Sequence, residues 1–193
     1  GDRAADPAPP RFPGGWTLGP PDLLLEMPGP VQVPAEGPDV YWYFVIPSGL
    51  TRDRMVAAID FRPGNPRLVH HASFRYDRSG AARRLDATDP LPGYRRFGGW
   101  GFSGGGTLGG WALGVQPRRL DPGLGRPIPA GSDVVLQVHY HPDGRSEQDQ
   151  SQVAIYFVPE PRDGSHAVAE VVEIFVGEMA LEIPAGETEW YHR

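Results

Sequence analysis

The sequence predicts an all-β chain: an antiparallel β-sandwich or jelly roll carrying one long glycine-rich loop. Two observations lead there. Short runs rich in β-branched and aromatic residues recur along the chain, most of them bounded by Gly, Pro or Asp. In addition, 26 Gly and 23 Pro coexist with 5 Trp, 7 Tyr and 8 Phe. Disordered chains are rich in the first pair and poor in the aromatics, whereas a turn-rich sandwich needs both. With 193 residues, one domain is expected, long enough to bury a real core.

Taken in order, residues 1–22 open with "GDRAADPAPPRFPGGWTLGP" and read as an extended Pro/Gly arm, with Trp16 and Leu18 placed to dock it. Residues 23–193 form the expected domain. Its strand-like runs are "VYWYFVI" (40–46), "RMVAAIDF" (54–61), "RLVHHASFRY" (67–76), "DVVLQVHYH" (133–141), "QVAIYFV" (152–158) and "AVAEVVEIFV" (167–176). The last has some helical character, but the preceding "RDGSHA" offers no capping box, so it is read as a strand. "FRPGNPR" and "PEPRDGS" are turn chemistry. Between them, residues 93–131 read as one long loop punctuated by glycine, packed through Tyr94, Phe97, Trp100, Phe102 and Trp111.

Composition narrows the function. The formal charge is −6, so the chain has no electrostatic reason to bind nucleic acid or an anionic membrane. None of the 18 basic residues is lysine, which removes Schiff-base chemistry and a Walker-type phosphate site. With no Cys, thiolate catalysis, disulfides and iron–sulfur clusters are excluded, and any metal must be held by His, Asp, Glu or Met. No G-x-S-x-G elbow is present. No segment reaches the roughly 20 apolar residues of a membrane helix.

Four of the six histidines fall into two clusters, His70 with His71 and His139 with His141. Strand alternation places Val134, Leu136, Val138 and Tyr140 on one face of their run, and Val135, Gln137, His139 and His141 on the other. In the earlier run it groups Leu68, His70, Ala72, Phe74 and Tyr76 against Val69, His71, Ser73 and Arg75. A single histidine in a sheet is usually a hydrogen-bonded polar residue. Two strands that each offer imidazole suggest a metal, and imidazole alone suits Zn, Cu, Fe or Ni. Adjacent histidines point to opposite faces, so the pair can share one ion only if the strand bulges there, or if the rings bind through nitrogens that let both curl towards one side.

Three stretches together resemble the N-terminal copper-binding domain of the type II copper, ascorbate-dependent monooxygenases, the family of peptidylglycine α-hydroxylating monooxygenase and dopamine β-monooxygenase. They are "YWYFVIPSGLTRDRMVAAIDFRPGNPRLVHHASF" (41–74), "GGWALGVQPRRLDPGLGRPIPAGSDVVLQVHYH" (109–141) and "QSQVAIYFVPEPR" (150–162), with "LEIPAGE" (181–187) following. The resemblance implies a jelly-roll sandwich and one electron-storing copper held by His70, His71 and His139. Gln137 matches a glutamine near that copper, and His141 extends beyond the pattern as an extra ligand, an outer partner or a strand-end residue. The absence of Cys points to a bacterial-type branch. The family's second domain supplies the O2-activating copper through His-x-His and Met. Met179 sits in "GEMALEIPAG", which matches the first domain, so the chain resembles half an enzyme, either part of a larger monooxygenase or a free-standing copper domain. The resemblance further implies a reductant such as ascorbate, an extracytoplasmic location and no hydroxylase activity from this chain alone.

Two other functions compete. In a cupin-type metalloenzyme, His139 and His141 would bind Fe, Mn or Zn together with Glu147 or Asp149. In a metal-free sandwich, exposed Trp100 and Trp111 would anchor a partner or carbohydrate.

Overall fold

The computed structural model describes residues 15–159, 168–172 and 186. It is nearly all β, with 43% strand and 4% helix. The elements are β1 (Leu23–Glu26), β2 (Val31–Val33), β3 (Val40–Pro47), β4 (Arg54–Arg62), β5 (Val69–Asp77), α1 (Ala81–Asp86), β6 (Tyr94–Arg95), β7 (Thr107–Ala112), β8 (Leu124–Ile128), β9 (Asp133–Tyr140), β10 (Glu147–Asp149), β11 (Gln152–Phe157) and β12 (Ala169–Glu170). They form two five-stranded sheets, β1-β11-β4-β8-β12 and β6-β3-β9-β5-β7, and a two-stranded ribbon, β10-β2. Every pairing is antiparallel except β12 with β8. No helix among the described residues is long and apolar enough to cross a membrane.

The core lies between the two large sheets. The inward alternation expected for β9 holds: Val134, Leu136, Val138 and Tyr140 are buried there, alongside Trp42, Phe44 and Ile46 of β3 and Ala72 and Phe74 of β5 in the same sheet. Phe44, Phe74 and Leu136 are completely enclosed, and each such side chain contributes about 1.5–3 kcal/mol of transfer free energy. Trp16 and Leu18 pack on Ala58, Ala154 and Tyr156 at the outside of the other sheet, as their apolar character suggested.

The outer face of the β6-β3-β9-β5-β7 sheet is only partly covered. Helix α1, absent from the sequence reading, packs Ala82 and Leu85 against Tyr43, Val45, Tyr94 and Val135, and Trp100 and Phe102 complete this layer. Asp77 starts the helix: its carboxylate accepts the backbone N–H of Ser79 and of Ala82, each at 2.8 Å. Arg83 then clamps the helix to Asp133 at the start of β9 through two bonds of 2.5 and 2.6 Å. Along the outer face, β9 therefore runs from an end covered by the helix (Val135) to one beyond it (His139).

Residues 93–131 are not one loop, because they contain β6, β7 and β8. β7, "TLGGWA", carries glycines where a strand usually shows alternating apolar residues, and β8, "LGRPI", contains Pro127. Both sit at or beside a sheet edge, where such residues are tolerated. Trp111 is half-buried against Phe61, with ring centroids 5.1 Å apart, and Trp100 lies edge-on to Tyr43 at 5.5 Å. They pin this region to the body and are not the exposed anchors of a binding module. Among the described residues, Phe97 is the exposed aromatic. Of the run read as a strand at 167–176, Ala169–Glu170 is β12, and residues 167 and 173–176 lie outside the described residues.

Candidate metal centre

The β5–β9 ladder carries an irregularity at the histidine pair. Val69 is opposite Tyr140 and His71 is opposite His139, so two steps on β5 match one on β9 and His70 is the extra residue. This is a β-bulge, one of the two arrangements by which the adjacent pair could turn to one side. It changes the facing expected from strict alternation. Leu68 and Val69 are both in the core, and His70 is exposed on the outer side and not inward beside Leu68. Beyond the bulge, His71, Ser73 and Arg75 share the outer face with His139, Gln137 and Val135, their opposite numbers on β9.

The rings converge as a result. His70 Nδ1 lies 3.2 Å from His71 Nδ1, which in turn lies 3.2 Å from His139 Nδ1. One nitrogen from each of the three can be chosen so that all lie within 4.8 Å of one another. Two imidazole nitrogens bonded to one ion at about 2.0–2.1 Å, with a near-tetrahedral angle between them, are roughly 3.3 Å apart. The observed spacing fits. The chemistry of the donors fits as well: a neutral ring nitrogen can donate or accept one in-plane hydrogen bond, so His71 Nδ1 cannot satisfy both neighbours with a proton. A cation shared by the three lone pairs would satisfy them all. Burial first, then the adjacent His139 and His70, push the His71 imidazole below its ordinary pKa, towards the neutral form that binds metal.

Around this cluster β3 and the residue before it supply three outer-face residues. Asp39, just before β3, accepts from His139 Nε2 at 2.7 Å through Oδ2 and from His141 Nδ1 at 2.7 Å through Oδ1. These bonds, that of His141 foremost, hold its carboxyl below the usual range. Tyr41 stacks on the His139 ring, 4.3 Å between centroids and 5° between planes. Tyr43 receives a hydrogen bond from Gln137 and donates its own to the Gly99 carbonyl at 2.9 Å. Burial raises the Tyr43 pKa, so it stays a neutral phenol.

Of the sequence-identified residues, His70, His71 and His139 come together, while Gln137 sits one outer-face step away and is held by Tyr43. His141 is not in the cluster and touches it through Asp39. The cupin-type set is not assembled. Asp149 is buried behind the sheet, where it accepts from the Tyr140 hydroxyl at 2.7 Å and the Ser151 hydroxyl at 2.8 Å. Glu147 accepts from the Asn65 amide. His166, Met179 and His192 lie outside the described residues. Asp39 and Tyr41 were missed by sequence reasoning; the alternation of "DVYWY" across from "QVHYH" was the one signal available. No protein-family model matches the chain, and a search of curated proteins found no match either.

Proposed function

We propose that this chain is a copper-binding, electron-transferring domain of an ascorbate-dependent monooxygenase that hydroxylates a C–H bond. The convergence of three imidazole Nδ1 atoms across a strand bulge carries the reading. The resemblance of residues 41–74 and 109–141 to the N-terminal domain of the type II copper monooxygenases specifies copper among the imidazole-binding metals. Bound copper would supply a one-electron Cu(I)/Cu(II) couple.

His70, His71 and His139 are the residues that would hold it, as three neutral donors without a thiolate or carboxylate. Tyr41 shields one face of His139 and leaves only 5% of that residue exposed. His70, by contrast, is open to solvent. The site thus has a walled side on β3 and β9 and an accessible side at the bulge, suited to exchange of electrons with a reductant such as ascorbate. A second domain bearing the O2-activating copper is the partner this reading requires, in an extracytoplasmic compartment. Hydroxylation of one C–H bond by O2 consumes two electrons and two protons and releases water, and an electron store of this kind serves that demand.

The test is the metal content of the chain purified without added metal, followed by its Cu(II) spectrum. One copper per chain with a nitrogen-rich signature is expected. A chain that binds no copper, or that takes up iron, manganese or zinc with His70 and His71 irrelevant, overturns the proposal.

A further inference from the structure

We propose that Asp39, latched in place by His141, is a positioning residue that fixes the ring orientation and donor strength of His139 and biases copper held there towards its oxidised state. This rests on the copper reading above and adds the element that tunes the site.

The tautomer of His139 follows from geometry. A carboxylate only accepts hydrogen bonds, and a neutral imidazole has a single N–H. With Asp39 Oδ2 at 2.7 Å from Nε2, the proton sits on Nε2 and Nδ1 presents its lone pair towards His71. The second carboxylate oxygen is engaged by His141 Nδ1 at 2.7 Å. His141 is itself tied to the sheet, because its backbone N–H donates to the Leu68 carbonyl at 2.9 Å. Asp39 is partly solvent-exposed, and an exposed carboxylate with one partner would be free to swing. Two partners, one anchored through Leu68 beside the bulge, hold it. Tyr41, two residues along and on the same face, fixes the plane of the ring that Asp39 fixes at its edge.

The arrangement is asymmetric. Among the described residues, neither His70 nor His71 has a carboxylate behind it, so His139 is the ligand on which the protein exerts electrostatic control. An anion accepting from the far nitrogen makes the near nitrogen a stronger donor. It also favours the higher of two cation charges, because the attraction grows with that charge.

The experiment compares wild type with Asp39→Asn, Asp39→Glu and His141→Gln. Cu(I) and Cu(II) affinities are measured separately by chelator competition with the metal alone, alongside the Cu(II) spectrum and thermal unfolding of the metal-free chains. Asp39→Asn keeps the shape and removes the charge. It is expected to lower Cu(II) affinity by about 10–100-fold, to lower Cu(I) affinity less, and so to raise the reduction potential, with unfolding unchanged. Asp39→Glu should restore part of the difference, and His141→Gln should shift the ratio in the same direction by a smaller factor. If wild type binds one copper and Asp39→Asn matches it in both oxidation states, or loses both affinities equally, the inference fails while the copper reading stands. If wild type itself binds no copper, the copper reading fails, and this inference with it.

Discussion

His71 and His139, 68 positions apart in sequence, bring their Nδ1 atoms to 3.2 Å, and they do so as directly opposed residues of neighbouring strands. Opposed residues share a face, so this pair is a product of sheet register alone. His70 joins only through the bulge. The three therefore form one unit, and losing any member leaves two donors. His139→Ala, His71→Ala and His70→Ala are each expected to abolish stoichiometric copper binding in equilibrium dialysis, whereas His166→Ala and His192→Ala should retain it. One copper bound by His139→Ala with unchanged affinity would rule the centre out.

The bulge also separates binding from folding. His70 is exposed, so His70→Ala should change unfolding free energy by no more than about 0.5 kcal/mol, as is usual for surface sites. Copper binding should nevertheless be lost. Denaturant titration of the metal-free protein, run beside metal analysis, reads both. A loss of several kcal/mol would mean that the His70 side chain supports the bulge.

The sandwich and the three histidines were legible in the sequence because both depend on local pattern. β9 alternates cleanly between Val134, Leu136, Val138, Tyr140 and Val135, Gln137, His139, and the structure keeps that split. The facing of His70 was not legible: alternation is a rule for unbroken strands, and the extra residue is visible only against its partner strand. β7 and β8 escaped because Gly109, Gly110 and Pro127 are loop residues by propensity and are accepted here only at or near sheet edges. Asp39 is one of 24 acidic residues. It acquires a role only when register sets β3 beside β9, and its alternation with Tyr41 is the one local mark it carries.

Asp149 distinguishes the two metal geometries considered. It is 2% exposed and accepts from Tyr140, from Ser151 and from the backbone N–H of Asn65 at 2.7 Å. Removing the Tyr140 hydroxyl deletes one of three hydrogen bonds to a buried carboxylate, so Tyr140→Phe should cost about 1–3 kcal/mol of stability. Asp149→Asn should destabilise to a similar degree, and both variants should still bind one copper while folded. Loss of metal from folded Asp149→Asn would revive a carboxylate-containing site.

Gly105 explains part of the glycine bias in the middle of the chain. Its φ is +70°, and a Cβ there would collide with the Tyr76 carbonyl, where the returning chain donates no room before Gly106 accepts from the Tyr76 N–H. Gly105→Ala should therefore lift this segment from β5 and increase solvent exposure of Trp100, seen as a red shift and easier quenching of tryptophan fluorescence. An unchanged spectrum with unchanged stability would show that the approach is not tight.

Asp77 tests whether the helix-covered end of the outer face and the His139 end are independent. It is 2% exposed, and burial alone would raise its pKa. The Ser79 hydroxyl at 2.6 Å and the backbone N–H groups of Ala82 and Ser79 outweigh that and hold it below its ordinary 3.8. A carboxylate whose folded pKa is depressed adds stability that is fully present above its unfolded value and is lost as pH falls through the folded one. Asp77→Asn retains the shape but sets an amide donor against donors, at a cost of about 1–3 kcal/mol. The gap between wild type and variant should be constant above about pH 5 and should close as pH falls below 4. Because α1 covers Val135 and Tyr43 but not His139, loosening it should leave copper affinity unchanged within twofold. A parallel loss of affinity would show that the helix layer, through Tyr43 and Gln137, reaches the metal centre.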